Sequence, residues 1–260
     1  MQLGVNIDHI AVLREARKIA DPNPLDALSI CKLAGANQIT IHLREDRRHI
    51  QDNDAHRIIK LSPIPVNLEC AIEPSMIDIA CEMKPHRVTL VPEKREEVTT
   101  EGGLALSLEN ARLKDAIKRL QKEHIEVSLF IDPTLEAVEL SSKLDVEWIE
   151  FHTGKYANIY AMLYGNLAKT HHSIEELNLS RKILKQMLDD ELRNLRLLSC
   201  DAKEYGLCVA AGHGLNYQNV KEIVDIETIS ELNIGQSIVA RSIWVGLHQA
   251  IVDMKKLLER

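Results

Sequence analysis

Eight short apolar segments that alternate with longer amphipathic stretches are the feature that most restricts how this chain can fold. They predict strands at residues 2–6, 38–42, 65–69, 86–91, 125–131, 147–152, 207–211 and 231–235. The 260 residues divided among eight units give about 32 residues each, the length of a module in which a helix follows a strand. Regular alternation indicates parallel strands with right-handed crossovers. An open doubly wound sheet also fits, but the count of eight favours an α/β fold of the closed (β/α)8 TIM-barrel type.

The stretches between the predicted strands show the apolar spacing of helices. Leu25, Leu28 and Cys31 recur every three residues, so they share one face of a helix. Gly35 follows them, where we expect a left-handed residue to end the helix. The last helix is predicted over about 243–259 from the same kind of spacing.

The interval between the sixth and seventh predicted strands is unusually long. We interpret residues 155–205 as a helical insertion within a single barrel domain that spans residues 1–260. Its stretch 174–204 is charged and amphipathic, and one helix of that length would far exceed the usual mean of about 11–12 residues. We therefore expect two helices there, or one helix that extends to a partner subunit.

The charge balance argues against nucleic acid as a partner. The chain has 32 Lys and Arg residues against 39 Asp and Glu residues, a net charge of −7, whereas nucleic-acid binding needs a basic face. An anionic ligand must therefore be held by a local cluster of donors.

Cysteine usage and the N-terminal residues indicate the compartment. The five cysteines are odd in number and none are spaced as C-x-x-C, so we expect neither a disulfide framework nor a structural zinc site. The N-terminus lacks a basic region followed by an apolar stretch, and no apolar run approaches the roughly 20 residues of a membrane span. We expect a cytoplasmic protein that does not bind membranes.

Polar, ionisable and glycine residues recur just after the predicted strands. In a parallel barrel these positions converge on one rim, where active sites of this fold form. The residues concerned are Asn6, Asp8, His9, His42, Arg44, His49, Glu69, Glu93, Thr99, Asp132, Glu150, His152, His213, Gly214, Asn233, Gly235 and Gln236.

Two groups of rim residues predict anion binding. Glycine-containing loops follow the seventh and eighth strands, the common phosphate-binding position in barrels. Arg44 and His49 indicate a second site, because arginine forks match phosphate oxygens in pairs. Arg47 and Arg48 fit this site too, or else pair on the surface with neighbouring acidic residues for little energy. Two anion sites suggest two phosphorylated substrates or one bisphosphate.

The remaining rim groups are proton carriers. His42, His213 and His9 have ordinary pKa values near ~6.5, suited to proton transfer at neutral pH. If the barrel mouth removes water from Glu69, its pKa should rise and it could accept and return protons. For His152, a structural and a functional role are equally open.

Several long stretches resemble the pyridoxine 5′-phosphate synthase family. They are GVNIDHIAVLREAR (4–17), ITIHLREDRRHI (39–50), VNLE (66–69), LVPEKREEVTTEGGL (90–104), VSLFID (127–132), IEFHTG (149–154), AGHGL (211–215) and ELNIG (231–235). The resemblance runs from the N-terminus to the last helix and implies a (β/α)8 barrel that assembles into an octamer. It implies condensation of 3-amino-2-oxopropyl phosphate with 1-deoxy-D-xylulose 5-phosphate, giving pyridoxine 5′-phosphate, phosphate and water, with no cofactor and no metal.

The resemblance also implies roles for individual residues. His42 and Glu69 match the family's proton acceptors, and His213 matches its proton donor. Glu150 matches the residue that stabilises the transition state. The positions that match contacts to the amino-ketone phosphate are Asn6, Arg17, Gly214, Gly235 and Gln236. The positions that match contacts to the xylulose phosphate are Asp8, His9, Arg44, His49 and Thr99.

The chain departs from the family at two places. The family often has His where this chain has Gln236. A glutamine would preserve a backbone contact to phosphate but not a charged side-chain contact. The insertion between strands six and seven also looks longer than expected.

Two alternative functions follow from the residues themselves. A metal-dependent barrel hydrolase or lyase would bring His42, Glu69, His152 and His213 to one ion. A phosphate-sensing or assembly protein without catalysis would bind phosphosugars and dock through the insertion.

Overall fold

A computed structural model of the chain describes residues 1–93 and 102–259. Eight parallel strands pair in sequence order, and β1 pairs with β8 to close the barrel. Each strand boundary lies within one residue of its predicted position. The strands are β1 (Gln2–Asn6), β2 (Gln38–His42), β3 (Val66–Cys70), β4 (Arg87–Leu90), β5 (Glu126–Ile131), β6 (Trp148–His152), β7 (Cys208–Gly212) and β8 (Glu231–Ile234).

Side chains alternate between the inside of the barrel and the surrounding helices. Phe130 on β5 is in register with Glu150 on β6, and both point into the barrel mouth. Because successive side chains of a strand point to opposite faces, Leu129 and Ile149 face the helices, where both are fully buried. The same pleat places functional groups inside the barrel and apolar groups outside it.

The helices surround the barrel. They are α1 (Asp8–Glu15), α2 (Ala27–Leu33), α3 (Asp52–Leu61), α4 (Pro74–Met83), α5 (Ala111–Lys122), α6 (Leu135–Lys143), α7 (Gly154–Tyr164), α8 (Arg181–Glu204), α9 (Val220–Val224), α10 (Gln236–Val245) and α11 (Leu247–Leu257). Short 3-10 helices lie at Pro24–Asp26, Leu167–Lys169 and Glu175–Leu177. Within the described ranges, no helix is both long enough and apolar enough to cross a bilayer.

The two ends of the chain differ in how well their helices were predicted. After α2, Gly35 has φ +89°, the left-handed conformation expected there. The prediction of one helix over 243–259 is wrong at its start. α10 ends at Val245. Gly246 has φ +79°, which is not helical, so it separates α10 from α11. The apolar spacing continues across this glycine, so the spacing alone does not reveal that one helix ends and another begins there.

The long interval between β6 and β7 contains α7 and α8, and its charged stretch 174–204 forms one long helix instead of two. α8 has 24 residues and follows a single 3-10 turn. It packs against α6, α7 and β7, and its Leu188 and Leu195 are buried there. α8 is therefore part of the helical layer around the barrel. It packs beside α7, which begins at Gly154, just after β6.

Candidate active site

The carboxyl ends of the strands surround a cavity of about 570 Å³. Twelve of the fourteen residues assigned to the site from the sequence line this cavity: Asn6, Asp8, His9, His42, Arg44, His49, Glu69, Glu150, His213, Gly214, Gly235 and Gln236. Arg17 does not line it, because it lies in the exposed segment that follows α1. Thr99 lies outside the described residues. Residues far apart in sequence thus share one opening.

His42 lies between two carboxyl groups. β2 and β3 are in register at His42 and Glu69, so both side chains point into the cavity, and Nδ1 of His42 is 3.9 Å from Oε2 of Glu69. Nε2 of His42 is 2.9 Å from Oε1 of Glu93. The backbone N–H of His42 donates to Oδ1 of Asp8 at 2.9 Å. The imidazole therefore lies between Glu69 and Glu93, and Asp8 holds the backbone of His42.

Two glutamates that line the cavity, Glu69 and Glu150, favour their protonated forms. Burial raises the pKa of Glu69 well above its usual range, and the charges of Glu150 and Asp8 raise it further. Burial also raises the pKa of Glu150 to about 8, with a contribution from Glu231, although the hydrogen bond from Asn233 opposes the shift. The rise expected for Glu69 agrees with this environment. A carboxylic acid that stays neutral at pH 7 can donate a hydrogen bond or its proton, and it can accept a proton once it has given up its own.

Asn233 is a rim residue for which the sequence analysis predicts no role. Its Nδ2 donates to Oε2 of Glu150 at 2.8 Å, and the Oγ1 of Thr40 donates to its Oδ1 at 3.2 Å. The side chain lines the cavity at the end of β8. This hydrogen bond fixes one carboxyl oxygen of Glu150 in place. The sequence signal for a role of Asn233 was its position in the run Asn233-Ile234-Gly235 at the end of a strand.

His213 sits in a strained turn beside His152. Its φ is +79°, and the hydroxyl of Thr153 holds this turn by donating to the carbonyl oxygens of Gly212 and His213. The rings of His213 and His152 are 4.8 Å apart. Burial, the larger cause, and the neighbouring His152 together lower the pKa of His213 to about 4. The protonated ring of His213 therefore gives up its proton more readily than an ordinary imidazolium.

His152 packs against the ring of His213 and does not itself line the cavity. Its Nδ1 is 3.2 Å from Oδ1 of Asp132, and its Nε2 is buried without a hydrogen-bond partner among the described residues. A Cβ at Gly154 would come within 2.6 Å of that Nε2, so only glycine leaves room for the ring. Both histidines thus depend on the small residue at the start of α7.

One anion-binding region lies at the start of α10. Gly214, Gly235 and Gln236 line the cavity, and Gly235 immediately precedes the first turn of the helix. The N-terminus of a helix presents N–H groups and a favourable potential to an anion. A Cβ at Gly235 would lie 2.9 Å from the backbone oxygen of Asn6. The loop can therefore come this close to β1 only when position 235 is glycine.

The second anion-binding region contains one buried cation. Arg44 is 8% exposed and lines the cavity with His49. Burial lowers the pKa of His49 to about 4, and the charges of His42, Arg44 and His9 act in the same direction. The Nδ1 of His49 accepts the N–H of Ile50 at 2.8 Å. In the neutral ring the proton is then on Nε2, which can donate to an anion.

The neighbouring arginines belong to the surface. Arg47 forms a two-pronged pair with Asp52 at 2.9 and 2.8 Å. Arg48 pairs with Asp46 at 2.7 Å. Neither lines the cavity, so the alternative interpretation as surface pairs applies to both.

Within residues 1–93 and 102–259, no three His, Cys, Asp or Glu side chains come together in a way that could hold a metal ion. The described residues therefore offer no support for the metal-dependent alternative.

Comparison with known proteins identifies the family. The family described as "Pyridoxal phosphate biosynthesis protein PdxJ" matches residues 3–260. A pyridoxine 5′-phosphate synthase of Sulfurovum sp. (strain NBC37-1) is 72% identical over 258 residues, covering 99% of this chain and 100% of the relative. One from Aliarcobacter butzleri (strain RM4018) is 65% identical over 259 residues, covering 100% and 99%.

Solved structures share the fold at low identity. A 3-hexulose-6-phosphate synthase superposes with a TM-score of 0.61 at 11% identity, covering 100% of both chains. A phosphoribosylanthranilate isomerase from Thermotoga maritima gives a TM-score of 0.57 at 12% identity, covering 99% of this chain and 98% of the other. These two likenesses concern the barrel alone, whereas the relatives at 72% and 65% identity match over the full length. The chain belongs to the pyridoxine 5′-phosphate synthase family.

Proposed function

We propose that this chain condenses 3-amino-2-oxopropyl phosphate with 1-deoxy-D-xylulose 5-phosphate to give pyridoxine 5′-phosphate, phosphate and water. The observation that carries the proposal is that His42, Glu69, Glu150 and His213 line one cavity together with two anion-binding regions. The family relationship supports the same reaction.

The two anion-binding regions correspond to the two substrates. Gly214, Gly235, Gln236 and Asn6 would hold the amino-ketone phosphate at the start of α10, and Arg17 would join them. The residues that would hold the xylulose phosphate are Asp8, His9, Arg44, His49 and Thr99. Anchoring both phosphates turns a bimolecular collision into a positioned reaction.

Closing the ring requires repeated proton transfers. His42 and Glu69 would accept protons. Because its raised pKa keeps Glu69 protonated at rest, Glu69 would first donate its own proton and then accept one. His213 would donate a proton to a leaving oxygen. A protonated Glu150 could donate a hydrogen bond from its carboxyl group to an oxygen that gains negative charge in the transition state. These steps use only side chains of the chain.

A direct assay tests the reaction. Purified protein is incubated with both phosphorylated ketones, while the ultraviolet absorbance of the product and the release of orthophosphate are followed together. We expect product and orthophosphate in equal amounts, and neither when one substrate is omitted. Binding of both substrates without any product would instead favour a phosphate-sensing protein.

We also propose that the chain acts in the cytoplasm as a homo-octamer. Trp244 and Ile243, at the end of α10, are 85% and 65% exposed, and a second copy of the chain could cover them. Sedimentation velocity tests the assembly against the 29.4 kDa of one chain. A species of eight chains is expected, and a monomer at micromolar concentration would contradict the proposal.

A further inference from the structure

A buried carboxylate holds the ring nitrogen of His42 that faces away from Glu69. The side chain of Glu93 is 4% exposed and follows β4 at the barrel rim. Its Oε1 is 2.9 Å from Nε2 of His42, and its Oε2 accepts the backbone N–H of Glu45 at 2.9 Å. Glu93 is not among the described residues that line the cavity. It therefore contacts the imidazole without reaching the substrate space.

Glu93 is ionised in this setting. Burial alone would raise its pKa, but the hydrogen bond and charge of His42, the N–H of Glu45 and the charge of Arg44 together lower it below its usual range. An ionised carboxylate can only accept hydrogen bonds. In the neutral imidazole, the nitrogen next to Glu93 must therefore carry the hydrogen.

This leaves the lone pair of His42 on Nδ1. Nδ1 is the nitrogen on the side of Glu69, 3.9 Å from its Oε2, and both residues line the cavity. A base must present its lone pair to the proton that it removes, so the tautomer decides whether His42 can act.

We propose that Glu93 is a positioning residue that fixes His42 as the Nε2–H tautomer, so that Nδ1 is the atom that takes the substrate proton. The catalytic part of this inference rests on the proposed function. When Nδ1 accepts a proton, its lone pair forms the new N–H bond and the substrate keeps the electron pair of the broken bond. The Nε2–H remains in place, and the resulting imidazolium is stabilised by the carboxylate of Glu93.

The contact with Glu45 provides a competing explanation that the experiment must separate. Through it, Glu93 also connects the segment after β2 to the segment after β4. A purely structural role would depend on this link and not on the state of the His42 ring.

The first test compares Glu93→Gln with Glu73→Gln. Glu73 follows β3 and pairs with Arg112 on the outer surface, so its variant removes one charge from a rim loop without touching His42. For Glu93→Gln we expect kcat to fall about 10-fold or more, with KM for both substrates within twofold. Glu73→Gln should change neither constant by more than twofold. A kcat within twofold of wild type in a folded Glu93→Gln protein would overturn the proposal.

The second test asks whether Glu93 acts through His42. In a His42→Asn background, adding Glu93→Gln should change the residual rate less than twofold, because residues that act as a unit are not additive. The same fold-loss as in the wild-type background would show that Glu93 acts through the loop and not the ring.

The third test reads the tautomer in the wild-type protein. With ¹⁵N-labelled histidine, the His42 signals are those that disappear in His42→Asn. At a pH where the ring is neutral, a protonated Nε2 and a bare Nδ1 are expected. A protonated Nδ1 would overturn the proposal even if Glu93→Gln does not fold. A wild-type chain that makes no product would refute the proposed function, while this measurement would still decide the tautomer.

Discussion

At the scale of single residues, the site depends on carboxyl groups kept away from water. Asp8, Glu69 and Glu150 all have raised pKa values, and burial is the largest cause for each. Such groups cost stability when they ionise, so the chemistry of the site and the pH dependence of folding are linked.

Glu150→Gln should make the protein less sensitive to alkaline pH. The pKa of Glu150 is about 8 in the folded state against an ordinary 4.5. Its favourable contribution is therefore complete below pH 4.5 and is lost as the pH rises through 8. The amide cannot ionise, yet it can still accept from Asn233. Relative to wild type, the variant should gain at least about 1 kcal/mol of unfolding free energy between pH 5 and pH 9.

Urea denaturation at the two pH values measures this difference. Equal changes in wild type and variant would show that Glu150 does not titrate as described. Turnover should fall sharply in the same variant, since a neutral amide has no acidic proton.

Arg44→Ala should weaken binding of the xylulose phosphate selectively. Among the described residues, Arg44 is the arginine or lysine that lines the cavity, and a charge-assisted hydrogen bond contributes about 1.5–3 kcal/mol. We expect KM for this substrate to rise about 10- to 100-fold, while KM for the amino ketone changes little. Arg193→Ala is the control, because Arg193 is an exposed partner of Asp190 on α8. Steady-state kinetics with an unchanged KM would argue against the second anion-binding region.

Residue-scale contacts were the least predictable part of the site. The sequence placed Glu93 and Asn233 at the rim, but their importance lies in distances to His42 and Glu150, which are 51 and 83 positions away. No spacing within one strand reports such contacts. The rise in the pKa of Glu69 was predictable, because apolar neighbours on a strand at the barrel mouth already indicate desolvation.

At the scale of elements, strands were easier to predict than helices. Short apolar runs bounded by polar residues locate strand ends to within one residue. Helix limits depend on single residues such as Gly246, which breaks the chain where the apolar spacing continues. The stretch 174–204 was expected to form two helices, or one helix that extends to a partner subunit. It forms the single helix α8, whose buried face runs along Leu184, Leu188, Leu195 and Leu198.

Leu195→Ala should destabilise the barrel without changing its chemistry. Leu195 is fully buried on α8, whereas Leu197 on the same helix is 59% exposed. Truncating a buried leucine costs about 2–5 kcal/mol, so Leu195→Ala should lower the unfolding free energy by that amount. Leu197→Ala should change it by less than about 0.5 kcal/mol. Chemical denaturation checks both, and similar small losses would show that α8 is not part of the core. KM values should stay near wild type in both variants.

At the scale of the whole molecule, closure of the barrel turns eight separate strand ends into one site. The sequence supports the count of eight strands, but the pairing of β1 with β8 brings together segments more than 200 residues apart. The barrel interior shows the same limit. Arg87 pairs there with Glu231 at 2.8 Å, although both residue types usually lie on surfaces. Such pairs become visible only when the whole fold is known.

The central claim is that these converging side chains carry proton transfer between two bound phosphorylated substrates. Turnover by Glu69→Gln tests it most directly, because the substitution keeps the shape of the side chain and removes its ability to exchange a proton. We predict a folded protein that binds both substrates and whose kcat for pyridoxine 5′-phosphate falls about 10²-fold or more. Turnover equal to that of the wild-type chain would contradict the account.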